Sequence, residues 1–120
     1  MDNYITCFIN YANNKKNKNK NKLFLNILIN KVNRQYDSND SNLVKLRKEA
    51  RKIFREYNNL DEDCEVERLN LLKKLFGGLK EGIKIEPPFY CDYGINITVG
   101  KNFYMNFDCT ILDCAHVDIG

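Results

Sequence analysis

One histidine and five cysteines are the side chains of this 120-residue sequence best suited to proton or electron transfer. His116 stands between Asp113 and Asp118, and an imidazole beside carboxylates can act as a general base near neutral pH. The thiols are Cys7, Cys64, Cys91, Cys109 and Cys114, and no C-x-x-C pair occurs among them. Neither a zinc ribbon nor a thioredoxin-like redox site is therefore supported. Their odd number, with no convincing signal peptide, favours a reducing, cytoplasmic compartment. Asp61, Glu62, Asp63 and Glu65 form an acidic cluster that could hold a metal ion. The same residues fit the first turn of a helix, where the dipole favours negative charge, and no metal site is expected.

The elements that must position these groups are legible in the apolar spacing. Stepping by six from Tyr93 gives Val99, Met105, Ile111 and Val117, all large and apolar. Two residues before each of the last four lie Ile97, Phe103, Cys109 and Ala115. A helix repeats its apolar positions every three or four residues and a strand every two, so neither explains a period of six. A left-handed parallel β-helix does, with three short strands per triangular coil and coils stacked over one core. In that register Cys91 and Cys109, 18 residues apart, stack at equivalent inward positions, where a thiol packs as a small apolar group. His116 falls between inward Ala115 and Val117 and points out of the coil. On register alone, a surface or interface role outweighs a catalytic one.

Upstream, Leu43, Leu46, Ala50, Ile53, Phe54 and Tyr57 recur at helical spacing, with Asp40 or Ser41 as the cap and Asn58-Asn59 as the stop. A second helix is expected after Asp61 or Asp63. Its apolar face is Val66, Leu69, Leu72, Leu75 and Phe76, and Gly77-Gly78 ends it. Charge is unevenly spread: residues 1–35 carry seven Lys/Arg against Asp2 alone, and residues 36–120 carry twelve against fifteen acids. The lysine run NNKKNKNKNK at 13–22 is low-complexity and reads as a solvated insertion. No aromatics interleave with it as nucleic-acid stacking would require, so neither a nucleic acid nor a membrane is expected as partner. A basic-tail nucleic-acid binder is kept as the weakest reading. The expected organisation is a tail at 1–34, a helical part at 35–80 and the start of a hexapeptide-repeat β-helix at 81–120. This α+β chain would hold the first two coils or so.

EPPFYCDYGINITVGKNFYMNFDCTILDCAHVDIG, residues Glu86–Gly120, resembles the entry into the β-helix of the maltose/galactoside O-acetyltransferases. That family reads E-P-P-F-x-C-D-Y-G-x-N-I-x-I-G-x-N-F, then N-(F/Y)-x-C-x-I-L-D-x-A, at this place. Gln35–Asn58 is similar to its helical N-terminal segment, with the pattern Y-x-x-x-D-x-x-L-x-x-x-R-x-x-A. The resemblance covers residues 35–120 and implies direct transfer of acetyl from acetyl-CoA, a co-substrate and not a bound cofactor, to a sugar hydroxyl. It further implies a homotrimer with active sites between neighbouring β-helices. Matched residue by residue, Asp92, Tyr104 and Asn106 fall at positions that line the acceptor-sugar pocket or approach the acetyl-transfer centre. Asp113 or its neighbour Cys114 matches the acidic part of that pocket, where a thiol does not replace an acid electrostatically, and Asp40 lies on the acceptor side. Each also has a bland reading, as a turn cap or a coil-edge cover. The family's catalytic histidine follows in a T-x-x-H-P-like stretch on the next coil, and His116 does not match it. The resemblance thus implies an N-terminal portion, truncated before its base and CoA site and inactive alone. The alternative is a non-catalytic module that joins a full-length paralogue in a mixed trimer.

Overall fold

A computed structural model describes residues 37–120, and the expectations for the tail, including the lysine run and Cys7, lie outside the described residues. Helix α1 spans Ser41–Asn59, and its start is set by Asp40, whose carboxylate accepts from the Asn42 N–H at 3.0 Å. It buries Leu43, Leu46, Ala50, Phe54 and Tyr57, one stripe at the spacing expected for an amphipathic helix. Helix α2 spans Glu65–Leu75, with Glu65 and Glu67 in its first turn and Lys73 and Lys74 in its last. The acidic cluster therefore leads into a helix start, as charge on the dipole favours.

The expected face of α2 holds at Leu72, Leu75 and Phe76 and fails at Val66. Leu71, Leu72 and Leu75 are buried, whereas Val66 is 70% exposed. Apolar residues lie on more than one side of this helix, so packing against α1 chose the face and the sequence pattern did not.

Seven short strands follow: β1 Gly78–Leu79, β2 Lys84–Ile85, β3 Phe89–Cys91, β4 Ile97–Val99, β5 Tyr104–Met105, β6 Cys109–Ile111 and β7 Val117–Ile119. All pairings are parallel, in the orders β1-β4-β7, β2-β5 and β3-β6. The chain therefore turns through three sides and returns to lie beside itself. Inward Phe89, Cys91, Ile97 and Val99, with Ile85, fill a core that continues through Phe76, Leu72 and Leu75 to the helices. Phe76 meets the Phe89 ring edge-on at 5.5 Å between centroids.

Paired residues are 20 apart, as in Ile85↔Met105 and Ile97↔Val117, so one circuit is not 18 residues long. Leu79, Ile85, Cys91 and Val99 step by six, six and eight, and Val99, Met105, Ile111 and Ile119 repeat those steps. Two extra residues sit in the third side of each circuit, at 92–96 and again at 112–116. Cys91 consequently stacks on Ile111, and Cys109 on Phe89, instead of on each other. Tyr93, the first member of the six-residue register, lies on the widened corner and packs under α1. There Arg47 donates to its hydroxyl at 3.0 Å and lies 5.8 Å from its ring centroid.

The helices close the starting edge of these strands. Asn58 donates to the Phe89 carbonyl at 2.9 Å and accepts from the Phe89 N–H at 2.8 Å, taking the place of a neighbouring strand. The Tyr57 hydroxyl donates to the Ile85 carbonyl, and burial pushes its pKa up to about 12. Gly94, at φ 74°, lies so close to the end of α2 that a Cβ there would come within 2.6 Å of the Leu75 carbonyl oxygen.

Candidate functional site

The widened corner gathers Asp92, Asn96, Asp113 and Cys114. Asp113 is fully buried, yet its carboxylate is satisfied. Oδ1 accepts from the N–H groups of Asp92 at 3.0 Å and Tyr93 at 2.9 Å, and Oδ2 from that of Asn96 at 3.3 Å. Asn96 returns a bond from Nδ2 to the Asp113 carbonyl at 2.7 Å. One side chain of the second circuit thus holds the backbone of the first-circuit corner, which has no strand partner to do so. Burial raises the pKa of this carboxyl to about 6, against the lowering effect of its N–H donors.

Asp92 is partly exposed on the same corner, and Cys114 Sγ donates to its Oδ2 at 3.2 Å. Below it the thiol of Cys91 is shifted strongly upward by burial, with the charges of Asp113 and Asp92 adding to the effect. That sulfur is an inert core group.

His116 is half-buried, and its Nδ1 lies 2.9 Å from the Asn96 carbonyl oxygen. A carbonyl only accepts, so Nδ1 carries the proton and the ring is held in one tautomer. Burial lowers the pKa of this imidazole, while the Asn96 contact and Asp118 act the other way. His116 borders a cleft of about 280 Å³ with Lys80, Thr98 and Asp118, where the Thr98 hydroxyl donates to Asp118 at 2.7 Å. A second cleft, of about 300 Å³, lies between α2 and β2 and is lined by Tyr57, Arg68, Leu72, Ile83 and Glu86.

Of the residues singled out in the sequence, the corner brings Asp92 and Asp113 together. Tyr104, 57% exposed, lies on β5 beside Lys84, and Asn106 follows the same strand with its Oδ1 on the Phe107 N–H at 2.9 Å. Asp40 is spent as the cap of α1. Neither cleft is lined by Asp92, Tyr104, Asn106 or Asp113. Sequence reasoning missed the Cys114–Asp92 contact and the Thr98–Asp118 pair. Both would have followed from a 20-residue circuit, which places 98 beside 118 and 92 near 112–114. Among the described residues no group of three His, Cys, Asp or Glu side chains could hold a metal ion, and no helix is long and apolar enough to cross a membrane.

Residues 34–80 match the maltose acetyltransferase hexapeptide capping motif. The fold of the chain superposes on a maltose O-acetyltransferase from Clostridium difficile 630 with a TM-score of 0.69 and 41% identity, over 72% of this chain and 46% of that one. The chain is thus similar to the maltose and galactoside O-acetyltransferases. A galactoside acetyltransferase in complex with coenzyme A matches with a TM-score of 0.67 and 32% identity, over 69% of this chain and 42% of that one. The galactoside O-acetyltransferase of Escherichia coli K12 is 37% identical over 65% of this chain and 38% of its own. The chain spans less than half the length of the curated relatives it matches.

Proposed function

We propose that this chain forms the acceptor-side portion of an acetyl-CoA-dependent sugar O-acetyltransferase wound as a left-handed β-helix. The observation that carries the reading is the 92–96 corner, held by Asp113 with Asp92 at its surface, in a chain whose fold matches an acetyltransferase in complex with coenzyme A. In the reaction the sugar hydroxyl attacks the thioester carbonyl, a base takes the hydroxyl proton, and CoA leaves as the thiol. Asp92, Tyr104 and Asn106 are proposed to contact the acceptor, with Asp113 acting through the corner it holds. Asp40 contributes by fixing the start of α1.

His116 is not proposed as the base. The cleft it borders contains none of the acceptor residues. The base and the donor site must come from other sequence, and the working site forms between neighbouring copies in a cytoplasmic homotrimer. The 120 residues alone are then expected to be inactive. An alternative is a non-catalytic partner of a full-length paralogue in a mixed trimer. Tyr104, Phe107 and Leu112, apolar and well exposed on the second circuit, favour some such contact.

A chimera tests the reading. Residues 37–120 would replace the matching part of the Escherichia coli galactoside O-acetyltransferase, and CoA release would be followed with a galactoside and with maltose. The expectation is activity in the chimera, none in the 120-residue chain, and at least a tenfold loss in the chimera on Asp92→Ala. A folded chimera without activity would sink the reading. Acetylation by the 120-residue chain itself would sink the claim that the base lies elsewhere.

A further inference from the structure

Asp113 has both carboxylate oxygens engaged by backbone N–H groups and no exposed surface. It cannot also receive a hydroxyl from outside. The carboxylate on this corner that solvent reaches is Asp92, and its Oδ2 is held by the Cys114 thiol at 3.2 Å. Asp92 is thus fixed from two directions by adjacent residues of the next circuit. Asp113 holds its main-chain N–H, and Cys114 holds its side chain. Cys114 is itself only partly buried.

We infer that Cys114 is a positioning residue of the acceptor corner, whose S–H orients the Asp92 carboxylate and whose modification releases it. The inference rests on the reading of Asp92 as an acceptor contact. Its physical content is independent of turnover. A thiol can give one weak bond to a carboxylate, and it gives none once the sulfur carries an alkyl group. The neighbouring negative charge also disfavours the thiolate, the form that reacts. Asp92 therefore shields Cys114 from electrophiles as Cys114 orients Asp92.

Two measurements on the 120-residue chain test this. The first is the rate of modification by N-ethylmaleimide, mapped by mass spectrometry. The sulfur adds to the maleimide double bond, and its proton ends on the adjacent ring carbon. Asp92→Asn is expected to speed modification of Cys114 about threefold or more, with Cys109 unchanged and buried Cys91 unreactive in both chains. Equal rates at Cys114 would overturn the inference. Should Cys91 become reactive, the variant has opened the core and the second measurement decides. There the Asp92 carboxyl carbon is followed by NMR in Cys114→Ser and Cys114→Ala. Serine keeps a donor and should hold the wild-type resonance, whereas alanine should shift it. Similar shifts in both would mean that Cys114 only fills space. An inactive chimera would remove the acceptor role of Asp92 and leave both measurements standing.

Discussion

Asp113 shows how one side chain can answer a need created by topology. A corner with two extra residues leaves N–H groups without strand partners, and a buried carboxylate is the acceptor that satisfies them. The cost appears in its titration, since burial lifts the pKa from 3.8 to about 6. The folded chain therefore holds this proton more tightly than the unfolded chain does. The associated stability is complete below pH 4 and is lost as pH rises through 6. Between pH 5 and 7 the loss should be about 1–2 kcal/mol in urea denaturation, a slope that Asp113→Asn abolishes. A stability that instead rose with pH in that window, or a slope that survived the substitution, would contradict the assignment. Asp113 was legible in the sequence as a family position. Its use as a backbone clamp was not, because the N–H groups it serves are 17 to 21 residues away.

Among the elements, α1 carries two tasks. Its buried stripe anchors the helical part, and its last turn closes the first circuit through Asn58 and Tyr57. The stripe was readable from periodicity, since Leu43, Leu46, Ala50, Phe54 and Tyr57 have no alternative face. Asn58 read only as a helix stop. Its side-chain amide instead pairs with the edge of β3, which a one-dimensional pattern cannot reveal. Removing it should leave a buried strand edge with one N–H and one C=O unmet. Asn58→Ala is expected to cost about 1–3 kcal/mol, measured by the denaturation midpoint at constant m-value. A change within about 0.5 kcal/mol, the ordinary range for surface substitutions, would show that water replaces the amide at no cost. Helix α2 teaches the opposite lesson from α1. With apolar residues on several sides, its pattern allowed Val66 inward, and contact with α1 put Leu71 there instead.

Over the whole described molecule, helices and circuits share one core. Phe76, 2% exposed, sits where they meet, between Leu72 and Leu75 on one side and Phe89 on the other. A cavity there should destabilise both parts together. Phe76→Ala is expected to lose about 3–5 kcal/mol, with the helical signal and tyrosine fluorescence still moving in one transition. Two separated transitions would show that the helical part folds apart from the circuits.

The sequence by itself determined the kind of fold, because a period of six suits neither an isolated helix nor a flat strand. It also carried the family resemblance, through a dense run of similar residues from Glu86 to Asp113, and the start of α1 at Asp40. Only the tertiary structure decided the length of a circuit. Residues stack by hydrogen-bonded pairing, not by hydropathy, and two extra corner residues turned 18 into 20 without disturbing the apolar steps around them. That one difference separated Cys91 from Cys109, moved Tyr93 under α1 and set Cys114 beside Asp92. Local pattern fixes which residues avoid water, whereas closure of the chain on itself fixes which of them meet.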